Sequence, residues 1–272
     1  MKPIRTIAIT SGKGGVGKTN VATSLAIALR QLGEEVLVFD ADLGLSNVDV
    51  LLGLVTKYNI QHVLNGQKQL KDVIVEGPQG IKILPASSGI QEITHLDEFQ
   101  RLKVLEAFED YQGEIDTLII DTGAGISSNV AFFCIAAQNI IVVISPEPTA
   151  LTDGYALIKV LFTKYQEKRF QVLVNSAASA SEALTVFRRL SEAAERFLQV
   201  SLDYLGFLPR DDSIQKAVRA QRSFLEAYPD SNASKNIVSI AGKIQEDSKN
   251  GLKGSLQLFI GNLIGDARDV RL

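Results

Sequence analysis

The chain has 272 residues, a length that one α/β domain can fill without disulfide or metal staples. Hydrophobic residues make up 46% and charged residues 22%, a globular composition that excludes a disordered chain. The formal net charge of −3 is too balanced for a protein that coats nucleic acid by bulk charge, so direct nucleic-acid binding is not expected. The one cysteine, Cys134, excludes an internal disulfide framework and a Cys-ligated zinc or iron–sulfur site within one chain. It stands in the apolar stretch Val130–Ala137 and reads as a buried, inert thiol. Met1–Arg5 carries no charged head with a long apolar core, and no run approaches the ~18 apolar residues of a membrane span, so a cytoplasmic protein is expected.

In chain order, short apolar runs alternate with helical patterns. The expected strands are Thr6–Thr10, Glu35–Asp40, Ile81–Pro85, Thr117–Asp121, Asn139–Ser145, Gln171–Asn175 and Leu202–Leu208. Several are β-branched and nearly continuous in apolar character, as strands covered on both faces must be. The expected helices are Gly17–Gln31, Asp97–Tyr111, Ser127–Ala137, Thr149–Tyr165 and Ser181–Phe197. The alternation predicts an α/β fold: a mostly parallel, twisted sheet with helices on both faces. No linker or repeat divides the chain. One domain over residues 1–248 with a C-terminal extension, 249–272, is expected. His62 and His95 are far apart with no ligand-like neighbours and read as solvated or packed.

The strongest motif is Gly12-Lys13-Gly14-Gly15-Val16-Gly17-Lys18-Thr19, which fits G-x-x-x-x-G-K-[ST] between a strand and a helix. Glycines let successive backbone N–H groups curl around phosphate oxygens with no Cβ in the way. The following helix N-terminus adds partial positive charge, Lys18 reaches the β/γ-phosphates, and the Thr19 hydroxyl ligates Mg²⁺. Gly12, Gly14, Gly15, Val16, Gly17, Lys18, Thr19 and Asn20 form the expected phosphate-holding set. Two strands end in acids: Asp40-Ala41-Asp42 and Asp121-Thr122-Gly123. Carboxylates at the carboxyl ends of parallel strands project into the crevice where Mg²⁺ and an attacking water must sit. No Glu follows Asp121, so a glutamate base is not available there.

The second lysine of the loop, Lys13, makes the pattern K-G-G-x-G-K-[ST]. Here the sequence resembles the deviant Walker A ATPases, to which MinD, ParA and the nitrogenase iron protein belong. The resemblance implies a three-layer P-loop NTPase fold, ATP and Mg²⁺ as ligands, and slow hydrolysis in an ATP-bound homodimer. It implies that Lys13 reaches the nucleotide of the partner subunit and that Asp42 positions the attacking water. Asp40 then supports the Mg²⁺ and dimer region, and Asp121 is the acid of the Mg²⁺ shell. In the MinD branch a matching glutamate, at the end of a strand before a helix, contacts the ribose across the dimer, which implies that role for Glu147. The resemblance further puts Asn175 on the adenine edge and makes Pro209-Arg210-Asp211 the other adenine-contacting loop.

The stretch Asp40–Leu54 is similar to the flagellar regulators FlhG and FleN, as are Asp121–Ile126, Pro146–Lys159, Lys216–Arg222 and Ser255–Phe259. That branch implies control of flagellar number through a FleQ-type master transcription activator, opposed to the GTPase FlhF. Many FlhG proteins carry an N-terminal glutamine/arginine motif that stimulates this GTPase. Here the first strand begins by about Arg5, so direct stimulation is not expected. A MinD-type division-site regulator stays open as an alternative. So does a ParA-type partitioning ATPase, for which Arg188, Arg189, Lys216, Arg219 and Arg222 are the thin basic candidates. In the extension, Leu252, Leu256, Phe259, Ile260 and Leu263 fall on one helical face. An amphipathic helix that docks reversibly on the inner membrane or at the cell pole is expected, against the alternative that it folds on its own domain.

Overall fold

The structure, a computed structural model, describes residues 4–44, 46–86, 96–111 and 114–249. Its elements are β1 (Arg5–Ser11), α1 (Lys18–Gln31), β2 (Val36–Ala41), α2 (Val48–Leu51), α3 (Ile60–Leu64), α4 (Leu70–Val73), β3 (Val75–Glu76), β4 (Lys82–Leu84), α5 (Glu98–Glu109) and β5 (Thr117–Ala124). They continue as α6 (Ser128–Ala136), β6 (Asn139–Ile144), α7 (Pro148–Tyr165), β7 (Phe170–Ala177), α8 (Ala180–Leu198), β8 (Leu202–Pro209), α9 (Asp212–Arg219), α10 (Phe224–Ala227) and α11 (Asn232–Lys249).

The strands form one sheet in the order β3-β4-β2-β5-β1-β6-β7-β8. Every pairing is parallel except β3 with β4, a short antiparallel edge that the sequence reading did not include. Alternation within the strands builds two cores. Ile7, Ile9, Val36 and Val38 face the layer with α1 and α11, while Ala8, Leu37 and Phe39 face the layer with α5 to α8. On the second face Phe39 meets Phe108 and Phe133 at ring-centroid distances of 5.6 and 5.4 Å. Cys134 is fully buried there, and burial pushes its thiol up to about 12.

Helix α11 closes the α1 face with Ile237, Ile240, Ala241 and Ile244. A buried charge network pins its last turns. The Arg5 guanidinium pairs with Glu34, donates to Thr117 Oγ1 and donates to the Ile244 carbonyl at 2.8 Å. The expected membrane-docking helix, 249–272, lies outside the described residues apart from Lys249, which ends α11, and so does His95. His62 packs edge-on to Tyr58 and shares a capping box with Asn59. Among the described residues no helix is long and apolar enough to cross a membrane.

Strand order reverses on the two sides of β1, which pairs with both β5 and β6. That reversal opens a crevice at the carboxyl ends of the strands. The phosphate loop follows β1 directly, so the topology itself places the motif at the crevice.

Candidate functional site

The loop from Ser11 to Lys18 has a shape that only its glycines allow. A Cβ on Gly12 would stand 2.0 Å from the Asp153 carbonyl oxygen on α7. Gly17 has φ of 92°, and a Cβ there would stand 2.4 Å from Asn175 Nδ2. Helix α1 begins behind Gly17 with no side-chain cap and no acid in its first turn, which leaves its N–H groups to a ligand. Lys18 is buried and its Nζ donates to Ser11 Oγ at 3.0 Å. Burial pulls the Lys18 pKa down, and the charges of Asp121 and Asp42 push it back up.

Asp121 and Asp42 act on this lysine by charge, Asp40 stands opposite Asp121 on β2, and the three acids are not equivalent. Asp121 is buried within β5, three residues before its end, and burial raises its pKa against the opposing influence of Thr19 and Lys18. Its Oδ1 has no hydrogen-bond partner. A buried, unpaired carboxylate oxygen beside the Thr19 hydroxyl fits the outer shell of a hydrated divalent ion. Among the described residues no cluster of three or more His, Cys, Asp and Glu side chains is built to hold a metal. The pair of donors, one hydroxyl and one carboxylate, suits Mg²⁺, which keeps waters and takes oxygens from substrate phosphates.

Asp40, expected to support the Mg²⁺ and dimer region, has its carboxylate on backbone N–H groups. Its Oδ1 accepts from Asp42 N at 3.2 Å, and its Oδ2 accepts from Asn47 N at 2.9 Å and Val48 N at 3.0 Å. It is fully buried, and burial together with the charge of Asp121 raises its pKa. The carboxyl group therefore ties the backbone of Asp42 to that of Asn47 and Val48. Asp42 Oδ2 accepts from Asn47 Nδ2 at 3.3 Å, and its Oδ1 lies 3.4 Å from where a Gly123 Cβ would be. The missing side chain of Gly123 thus leaves room for Asp42 over the end of β5.

On the other side of the loop lies a cavity of about 810 Å³. Lys13, Gly14, Gly15, Val16, Gly17 and Asn20 line it, with Glu147, Asn175, Arg210 and Asp211 opposite. Asn20 Oδ1 is buried without a partner. Gly12, Lys18, Thr19, Pro209 and the three acids are not part of the lining. Lys13 Nζ is ion-paired with Glu147 and donates to Thr149 Oγ1 at 2.8 Å, all within one chain. Asp211 caps α9 by accepting from Ser213 N at 2.9 Å, and accepts from Ala233 N at 3.3 Å. The Ser213 hydroxyl and these N–H groups hold its pKa below the usual aspartate value, against a smaller upward push from burial. The sequence reading missed the apolar wall of Leu208, Ile214, Val218 and Phe224. The four-residue spacing of Ile214 and Val218 on α9 is the signal that marks it.

Comparison with known proteins decides the family. The family model for ParA, described as NUBPL iron-transfer P-loop NTPase, matches residues 3–245. The antiactivator FleN of Pseudomonas aeruginosa is 44% identical over 97% of this chain and 95% of its own. The chain belongs to the FleN/FlhG branch of the ParA/MinD P-loop ATPases. A second member, the flagellum site-determining protein YlxH of Helicobacter pylori, is 34% identical over 95% of this chain and 89% of its own. Among solved structures, the septum site-determining protein MinD of Pyrococcus horikoshii, complexed with Mg-ADP, superposes with a TM-score of 0.75 at 25% identity. That match covers 92% of this chain and 100% of the other. The expected three-layer, mostly parallel P-loop fold is the fold observed. Iron transfer does not carry over from the family description, since the one cysteine is buried in the α5–α8 layer. ATP with Mg²⁺ is the expected ligand pair of a site in this family.

Proposed function

We propose that this chain is a switch ATPase that sets flagellar number, active as an ATP-bound homodimer and reset by slow hydrolysis. The observation that carries the switch is the Lys13–Glu147 pair at the cavity mouth. Both residues are expected to act across a dimer, and in the single chain they neutralise each other. ATP binding in two facing chains exchanges that internal pair for contacts with the opposite subunit, Lys13 to phosphate and Glu147 to ribose.

Within each chain the loop N–H groups of Gly14 to Thr19 hold the phosphates, with Asn20 beside them and Gly12 permitting the loop's approach to α7. Lys18, already dehydrated and flanked by acids, offsets the negative charge that builds on the β/γ-phosphates. Thr19 and Asp121 hold the hydrated Mg²⁺, and that ion, when bound, neutralises phosphate charge. Asp42 orients the attacking water, and Asp40 keeps the Asp42 turn in place. Asn175, Pro209, Arg210 and Asp211 surround the adenine.

The dimer presents a surface that restrains a FleQ-type transcription activator and opposes the GTPase FlhF. Residues 1–248 are the ATPase domain, and 249–272 attach the dimer reversibly to membrane at the inner face or the cell pole. The 44% identity to an antiactivator supports the flagellar reading over a division-site one. Counting flagella and division sites by electron microscopy in cells lacking the gene tests it. Excess flagella at normal division sites is the expected outcome, whereas minicells with ordinary flagella would move the protein to a MinD-type role.

A further inference from the structure

The end of β7 is irregular. Val174 pairs with Phe207 and Ala177 with Pro209, and the register breaks between them. In that break Ser176 takes the left-handed conformation, φ 59°, which a non-glycine residue adopts only when its surroundings hold it there. The Asn175 Oδ1 accepts from Ser176 N at 2.9 Å.

That bond orients the amide. With Oδ1 turned to the Ser176 N–H, the NH₂ group must face the phosphate loop, and Nδ2 donates to the Val16 carbonyl at 2.7 Å. A flipped amide would set two carbonyl oxygens against each other and leave the Ser176 N–H facing a second donor. Asn175 is only 6% exposed, and Gly17 leaves open the space that its Nδ2 approaches. The bond spans 159 residues of sequence and joins the base side of the cavity to the phosphate side.

A peptide unit is planar and trans, so fixing its carbonyl fixes the N–H at its other end. The Val16 carbonyl shares its plane with the Gly17 N–H, one of the donors that the loop offers to phosphate. We propose that Asn175 is a positioning residue for the phosphate loop, acting through the Val16 carbonyl, in addition to meeting the base. This rests on the nucleotide-site reading above. Asn175 then couples the two halves of the site, and its loss weakens phosphate binding even for a ligand with no base.

The test compares Mg-ATP with Mg-tripolyphosphate, a ligand that carries the phosphate chain alone. Calorimetry on the full chain should show Asn175→Ala weakening both ligands by a similar factor, about tenfold for one lost buried hydrogen bond. Hydrogen exchange without ligand should quicken in the peptide covering residues 12–19 and stay unchanged in β1, β5 and β6. If Asn175→Ala does not fold, Asn175→Thr fills a comparable volume at a strand end without an amide, and the same two readouts apply. Unchanged tripolyphosphate affinity with weakened ATP would overturn the proposal and leave Asn175 a base contact only. Failure of the unsubstituted protein to bind either ligand would overturn the nucleotide-site reading itself, a distinguishable result.

Discussion

Asp211 and Asp40 both turn their carboxylates on backbone N–H groups, and for Asp211 this carries a consequence for stability. Asp211 caps α9 and also receives Ala233 N at the start of α11. Asp211→Ala should cost about 1 kcal/mol and lower the melting midpoint by about 2–4 °C. The sign with pH follows from its depressed pKa. The stabilisation is fully present above the ordinary aspartate value of 3.8 and is lost as pH falls through the lower folded value. The gap between wild type and variant should therefore close in acid, which thermal unfolding in a pH series measures. Cys134 makes a second prediction at this scale. Fully buried, with its thiol pushed up to about 12, it should resist a thiol reagent at pH 8 in the native protein and react in urea. Rapid labelling without denaturant would contradict its placement.

At the scale of elements, α11 is held by apolar packing at one level and charge at another. Ile240 is 2% exposed against the α1 face, so Ile240→Ala should cost about 2–5 kcal/mol in urea unfolding. Arg5→Ala should cost about 3–5 kcal/mol, because it strands the Glu34 carboxylate in the interior and removes a donor to the Ile244 carbonyl. This element also marks the limit of what the sequence made legible. The apolar strands β1, β2 and β5 were plain, because their β-branched runs are local and nearly uninterrupted. The phosphate loop was plain because glycine and lysine spacing is a local code. Helix α11 has the spacing Ile237, Ile240, Ala241, Ile244 behind a capping Ser231, but Gly242 and polar flanks dilute it. The Asn175 bond to Val16 was not legible, since it needs chain segments brought together only by folding. The backbone bonds from Asn47 and Val48 to Asp40 are of the same kind, invisible until the chain folds.

Over the whole molecule, the sheet separates stability from chemistry. The Arg5 network fastens the amino-terminal ends of the strands, while Lys18, Asp42, Asp121 and Asn175 gather at the carboxyl ends around the strand-order reversal. Lys18 and Asp42 follow β1 and β2, while Asp121 and Asn175 stand within β5 and β7, so the site is only as ordered as the sheet beneath it. In the proposed switch, Lys13 and Glu147 at the mouth of the site leave each other when two ATP-bound chains meet. Asp42→Ala isolates that step, because it should slow hydrolysis by at least about 100-fold while leaving the loop and Lys18 to hold ATP. The direct measurement is sedimentation of Asp42→Ala with Mg-ATP and with Mg-ADP. A stable dimer with ATP and a monomer with ADP is the predicted result. A protein that stays monomeric at saturating ATP would contradict the switch.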